Sequence, residues 1–334
     1  MPDFPRQDDF SRSDTARALW ITDAGRCEMR AEPLTSPGDG EALVEARFGA
    51  LSRGTERLIL EGRVPAGEFE RMRCPHQRGD FTFPLKYGYA VVANVLAGPA
   101  DLVGRDMFCL HPHQDRFVLP AGDLVPLPRG LSPERAVLAA NMETALNIVW
   151  DAQVAPGDRL AVVGGGLVGL LVASLASRIA GVEACLVDVD PARRTVADAL
   201  GVAYFHPDEA PVDRDVVVHC SASEAGLASA IAIAGFEARI VEASWYGDGE
   251  IRVPLGGAFH SRRLSIVASQ VGAVPAGRRG RWTMRRRLEM ALSLLADDRL
   301  DALISGETRF SELPPRYADI LAASDTLCHR IRYD

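Results

Sequence analysis

After the apolar run RLAVV, Gly164, Gly166 and Gly169 fall in the order G-x-G-x-x-G and lead into the helical stretch LVGLLVASLASRIA. Glycines at these spacings serve a dinucleotide in three ways: they permit a tight turn, let backbone approach a pyrophosphate, and bring a helix close to a strand. Leu167 and Val168 then open a helix whose free N–H groups and positive dipole end face the phosphates. The next apolar run ends in LVDVD and sets Asp188 nineteen residues beyond Gly169, where a carboxylate accepts from ribose hydroxyls. An acid there repels a 2′-phosphate, which favours NAD over NADP. Arg193 and Arg194 follow closely enough to offset part of that repulsion, so NADP stays as the alternative and Arg193 is carried as a cofactor contact. A solvated helix face is the plainer reading of the two arginines. A second cluster, CLHPHQD, places Cys109, His111 and His113 at alternate positions, which share one face if the segment is a strand. Thiolate and imidazole suit zinc, but Pro112 interrupts the strand and no metal site is expected.

The elements that must hold these residues change character along the chain. From Ala16 to about residue 130 the sequence is a series of short apolar runs broken by Gly and Pro, such as ARALWIT, EALVEARFGAL and YAVVANVLAG, the spacing of a β barrel or sandwich. Ser132 and Pro133 then cap an Ala-rich helix. From Arg159 onward, continuous apolar strands (RLAVV, ACLVD, DVVVHCS, ARIVEAS, LSIVAS) alternate with helical runs, predicting a parallel sheet covered on both faces. Later, Leu288, Ala291, Leu292 and Leu295 recur at helical spacing as a buried stripe. The basic run RRGRWTMRRR before them reads as the solvated start of that helix, with contact to an anionic substrate or a second subunit as the weaker reading.

Thirty-seven basic against 45 acidic residues give a net charge of −8, which removes any general electrostatic argument for nucleic acid or an anionic membrane as partner. No uncharged apolar stretch reaches the roughly 18 residues of a membrane span, and the first dozen residues read as a loose polar tail. Six scattered cysteines without a CxxC pair fit a reducing, cytoplasmic setting. Lys86 is the sole lysine, which a codon bias toward arginine explains as readily as a functional constraint.

Together, a β-rich first half, a dinucleotide fold behind it and a C-terminal helix that returns to the first domain resemble the medium-chain dehydrogenase/reductase superfamily, the alcohol dehydrogenase-like proteins. The resemblance rests on LVPLPRGLSPERAVLAANMETAL, VVGGGLVG with LVDVDPAR, FHSRRLSIVASQVG, and the closing RRRLEMALSLLADDRLDALISGETRFSELPPRYADIL. It implies an α/β protein with a GroES-like β-rich catalytic domain (residues 1–135 and 273–334) and a Rossmann doubly wound parallel-sheet domain (residues 136–272). Gln270 and Val271 would then face the nicotinamide in the cleft between them. A small-molecule substrate is the implied partner, and the edge of the last Rossmann strand is where two copies of such proteins commonly pair.

Zinc-dependent members carry C-G-x-D and G-H-E where this chain reads Ser52-Arg53-Gly54-Thr55-Glu56 and Gly88-Tyr89-Ala90. The third ligand position falls between Ala140 and Glu143, and the four-cysteine structural zinc lobe is missing, so zinc is not expected. The S-R-G-T-E form is more similar to a bacterial branch labelled zinc-binding dehydrogenase, and more distantly to the hydroxyethyl-bacteriochlorophyllide dehydrogenase group.

Oxidising an alcohol without zinc still needs a group that polarises the C–O bond and one that accepts its proton. The matching cleft segments offer Tyr89, His111, Glu56 and Lys86, in that order, with Tyr87, His113 and Glu143 behind them. Each has a plainer alternative: cleft wall for Tyr89, a hydrogen-bonded core histidine for His111, a strand-end cation for Lys86, and pairing with Arg53 or helix capping for the glutamates. The expected reaction is NAD(P)-dependent hydride transfer between a nicotinamide and a secondary alcohol or ketone. A zinc-free quinone or enoyl reductase and a nucleotide-binding protein without turnover are the alternatives.

Overall fold

The computed structural model describes residues 15–334, so the N-terminal tail lies outside the described residues. The chain begins as an antiparallel hairpin, Thr15–Asp23 with Arg26–Pro33, closed at Gly25 with φ +75°. Leu85–Lys86 and Arg78–Gly79 extend it to a four-stranded sheet. A seven-stranded sheet is built around the long strand Glu41–Ser52, which pairs with Val91–Ala97, Arg116–Pro120 and the C-terminal strand Cys328–Arg332. Alternate residues of these strands, among them Leu19, Ile21, Val44 and Leu51, close a β-rich core.

The second unit is a six-stranded parallel sheet in the order Ala203–Phe205, Glu183–Val187, Arg159–Val163, Arg214–His219, Ala234–Glu242, Ser265–Ala268. Its strands are apolar throughout because both faces are covered. Leu160 and Val162 meet helices Leu167–Ala176 and Ala139–Ala152, while Ala161 and Val163 meet helix Glu224–Ile233 on the other side. The order of strands reverses between Arg159–Val163 and Arg214–His219, and a ligand crevice opens at the carboxyl ends of strands at such a switch point. The two-domain α/β architecture expected from the sequence is therefore present.

Helix Met284–Leu294 touches both units: its buried Leu288, Ala291 and Leu292 pack on helix Ala139–Ala152 beside the parallel sheet, while Arg285 donates to the Gly122 carbonyl of the β-rich unit. The chain re-enters the seven-stranded sheet only at Ile304–Arg309. Arg287, the last arginine of the basic run, is 0% exposed instead of solvated. It lies on the same helical face as Ala291 and meets Glu143 Oε1 at 3.0 Å. Removing one partner of a buried ion pair costs far more than the pair contributes. Glu143→Ala is therefore expected to lower unfolding free energy by about 3–5 kcal/mol, and Glu143→Gln by less, in chemical denaturation.

Candidate active site

The glycine loop sits at the switch point. Gly164 has φ +113°, and a Cβ there would come within 2.6 Å of the Ser221 amide nitrogen. A Cβ on Gly169 would lie 1.9 Å from the Gly164 carbonyl oxygen, so the helix starting at Leu167 can approach the strand only with glycine there. Gly166 differs: a Cβ would meet nothing within 4 Å, and no side chain caps the helix it begins. Open space above uncapped first-turn N–H groups is what a pyrophosphate requires. Asp188 follows the second strand, with Oδ2 accepting from the Gly165 amide at 2.5 Å and Oδ1 from Asp190 at 2.8 Å. Arg193 is buried: its stem lies against Gly165, and its guanidinium donates to the Ser324 carbonyl and pairs with Asp190. Arg194 instead lies over the Tyr204 ring, 4.7 Å from its centre. The cradle thus has the shape and donors for a dinucleotide.

Across from it runs helix Arg53–Leu60 of the β-rich domain. Arg53 Nε is buried without a hydrogen-bond partner among the described residues, and burial together with the charges of Arg57 and Arg193 pushes its pKa down. Two guanidinium groups that repel each other beside the Gly165 backbone define a place for an anion. On the same turn, the Ser52 and Thr55 side chains reach the Tyr89 hydroxyl. Burial pushes the Tyr89 pKa up to about 12, with the Ser52 and Thr55 hydrogen bonds opposing, so the phenol keeps its proton at neutral pH. Glu56 faces the other way. Its carboxylate, 1% exposed, accepts from the Ser52 amide (2.7 Å), His113 Nε2 (2.9 Å) and the Tyr317 hydroxyl (2.7 Å), fixing the turn from beneath. Gln270 and Val271 follow the last parallel strand; Arg287 donates to the Val271 carbonyl at 2.5 Å, and Gln270 Oε1 accepts from the Gly272 amide.

No model of a protein family matches the chain. D-guloside 3-dehydrogenase of Escherichia coli (strain K12) is 26% identical over 315 residues, spanning 83% of this chain and 88% of that one. Among solved structures, L-idonate 5-dehydrogenase from Escherichia coli str. K-12 substr. MG1655 superposes with a TM-score of 0.78 at 14% identity, covering 95% of this chain and 98% of its own. A Sinorhizobium meliloti 1021 protein bound to NADP does so with a TM-score of 0.76 at 17% identity, covering 96% and 100%. Over nearly its whole length the chain has the fold of these dehydrogenases, as its resemblance to the medium-chain dehydrogenase/reductase superfamily implies. It is an alcohol dehydrogenase-like oxidoreductase.

Within this dehydrogenase fold the four expected catalytic residues do not converge. Lys86, 2% exposed, donates to Glu32 (2.7 Å) and Gln114 (2.6 Å), and burial pushes its pKa down against the pull of Glu32. His111 stacks on Phe117 at 3.5 Å and donates from Nδ1 to the Pro112 carbonyl. Both line a separate polar cavity of about 260 Å³ together with Glu32, Thr35, His76 and Arg78. Strand Leu85–Lys86 ends at Lys86, and the chain turns at Gly88, with φ +129°, before it reaches Tyr89, so the two side chains belong to different parts of the backbone path. Cys109, His111 and His113 do not share a face either: Cys109 lies in the β core and His113 beneath Gly88. Glu143 is held by Arg287, not Arg53.

Three features escaped the sequence reading. Arg53 was seen only as a partner for a glutamate, and Arg287 only as part of a surface patch. The third is a polar chain at the carboxyl ends of the two strands beyond the switch point. His219, 0% exposed, bonds Glu242 through Nδ1 (2.7 Å) and the Ser221 hydroxyl through Nε2 (2.6 Å). Burial alone would raise the Glu242 pKa, but the hydrogen bond and charge of His219 and the Ser244 amide hold it below the usual carboxylate value. A histidine at the end of one apolar strand and a glutamate at the end of the next were the available signal.

The placement of His111 carries a pH consequence. Burial holds its imidazole neutral in the folded protein well below the ordinary value of 6.5, so the unfolded chain takes up the proton first as pH falls. The stability this contributes is complete above pH 6.5 and is lost progressively below it. In His111→Phe, which can keep the stack on Phe117, the acid side of the stability curve should be flatter than in the wild type when midpoints are measured from pH 7 to 4.5, values of about the range in which such groups titrate.

Proposed function

We propose that this dehydrogenase uses NAD to interconvert a secondary alcohol and a ketone on a polyol or sugar-like substrate, with hydroxyl chemistry in place of zinc. The observation that carries the reading is the protonated Tyr89 phenol, set beside Ser52 and Thr55 one residue from Arg53 and the pyrophosphate cradle. A phenol that retains its proton donates a hydrogen bond to a carbonyl or alkoxide-like oxygen and so does part of what a metal does in related enzymes.

The donors at the corresponding positions do not suit zinc. Ser52 and Tyr89 offer hydroxyls where thiolate and imidazole are required, and Glu143 is already committed to Arg287. No step is therefore routed through a metal. Gly164, Gly166, Leu167, Val168 and Gly169 would hold the pyrophosphate with Arg53, while Asp188 takes the adenosine ribose hydroxyls and excludes a 2′-phosphate. Gln270 and Val271, pinned by Arg287, would flank the nicotinamide. When bound, the cofactor supplies the hydride acceptor.

The names of two relatives, D-guloside 3-dehydrogenase and L-galactonate-5-dehydrogenase, support hydroxylated substrates. We also place the protein in the cytoplasm, on its unpaired cysteines, and take the open edge of strand Ser265–Ala268 as the surface on which two copies would pair.

Two measurements test the reading. Tyr89→Phe should bind NADH as the wild type does yet lose about 10²-fold or more in kcat on polyols and secondary alcohols, and turnover within a few-fold of wild type would remove Tyr89 from catalysis. Asp188→Ser should move the ratio of NADH to NADPH dissociation constants by about tenfold or more toward NADPH, read by nicotinamide fluorescence; an unchanged ratio would mean that Asp188 does not select the cofactor.

A further inference from the structure

We propose that Ser221, His219 and Glu242 form the proton acceptor for alcohol oxidation, an inference that rests on the function just assigned. Lys86, His111 and Glu56 are turned elsewhere, so the expected reaction lacks a base among the residues first considered. The Ser221 chain lies where a base is needed. Asp188 fixes the adenosine half of the crevice on one side of the switch point, so the nicotinamide half lies over strands Arg214–His219 and Ala234–Glu242. Ser221 stands at the end of the first of these strands, exposed, with its backbone against Gly164. Glu242 ends the second, and the loop after it docks on the β-rich domain, where Gly247 meets the Arg63 carbonyl.

The hydrogen bonds have one consistent direction. Glu242 is ionised and accepts from the Ser244 amide (2.8 Å) and the Tyr246 hydroxyl (3.2 Å), so the proton between it and His219 must sit on Nδ1. In the neutral ring Nε2 is then the acceptor, and the Ser221 hydroxyl donates to it. Ser223 caps helix Glu224–Ile233 by accepting from the Gly226 amide at 3.0 Å, which leaves its hydroxyl free to donate to Ser221 Oγ at 2.9 Å. Gly226 keeps this line open, because a Cβ there would lie 2.0 Å from Ser221 Oγ and 2.7 Å from His219 Nε2. The titratable groups facing His219 are Glu242 and Tyr246, and Cys220 is its chain neighbour. Burial and the charge of Glu242 push the Tyr246 and Cys220 pKa values up, so neither carries charge near neutral pH.

The proton balance is complete within the chain. The substrate O–H bond breaks and its proton passes to Ser221 Oγ; the Ser221 proton passes to His219 Nε2. The products are a ketone, reduced cofactor and an imidazolium held by Glu242, which releases its proton to solvent. In ketone reduction the same atoms run in reverse.

The test uses Ser221→Ala, Ser221→Thr and His219→Gln in the full-length protein. If the relay is the base, Ser221→Ala and His219→Gln lose about 10²–10⁴-fold in kcat for alcohol oxidation, while the NADH dissociation constant stays within about threefold of wild type. Ser221→Thr restores most of the rate. Independently of turnover, ¹⁵N NMR of labelled histidines should find His219 as the Nδ1–H tautomer, with its Nε2 resonance shifted in Ser221→Ala. The proposal fails if kcat is retained in both variants, if cofactor affinity falls in step with rate, or if His219 is the Nε2–H tautomer. Wild-type protein that binds NADH but oxidises no secondary alcohol would overturn the assigned function itself, an outcome distinct from active enzyme whose Ser221→Ala variant is equally active.

Discussion

A guanidinium with no access to water stands behind the segment that follows the last parallel strand. Arg287 could not be buried alone, since removing one cation from water costs several kcal/mol unless its donors are met. It is met from two directions, by Glu143 and Asn147 of helix Ala139–Ala152 and by the carbonyls of Val271 and Ala273. Backbone carbonyls leave little room for adjustment. The segment after the last parallel strand is therefore fixed relative to the helix that also carries the interdomain core, where Phe48 and Phe108 of the β-rich unit and Leu170 and Val162 of the nucleotide-binding unit belong to one apolar cluster. A cleft between two domains keeps its shape only if both walls refer to a common element, and helix Ala139–Ala152 is that element.

A similar logic fixes the opposite wall. Glu56 gathers the Ser52 amide, His113 and Tyr317 from three separate parts of the chain. Its charge is buried to hold the turn that presents Arg53, Thr55 and Ser52 upward, and a carboxylate so committed has little capacity left for chemistry. Buried ionic groups here serve geometry, and in the proposed reaction the reacting groups are neutral hydroxyls.

The parts legible in the sequence were those governed by local periodicity. Continuous apolar strands alternating with helices give the parallel sheet, and the glycine spacing with Asp188 gives the cradle, because each depends on residues close in the chain. What stayed hidden depends on partners far apart. Arg287 meets residues up to 144 positions away, and nothing in RRGRWTMRRR distinguishes it from its solvated neighbours. His219 and Glu242 are 23 residues apart, each an isolated polar residue at the end of an apolar strand. Lys86 illustrates the reverse error. Adjacency to Tyr87 suggested chemistry in the cleft, whereas the Lys86 ammonium is claimed by Glu32 and Gln114, 54 and 28 positions away.

In the proposed reaction hydroxyl groups take the place of a metal, which changes what the protein must control. A Lewis acid stabilises an alkoxide, so a proton can leave the substrate before the hydride moves. A phenol that keeps its own proton up to about pH 12 offers a hydrogen bond but no full positive charge. An alkoxide beside it is too costly to form in advance, and proton and hydride departure become linked in time. Catalysis then depends less on the strength of any one group than on donors and acceptors already pointing the right way, the condition under which fixed dipoles act without reorganising. A carboxylate buried behind an imidazole imposes such a direction, because its charge leaves the ring only one neutral tautomer. The constraint passes outward from Glu242 through His219 to Ser221, and so the orientation of an exposed hydroxyl is decided by a charge two side chains away.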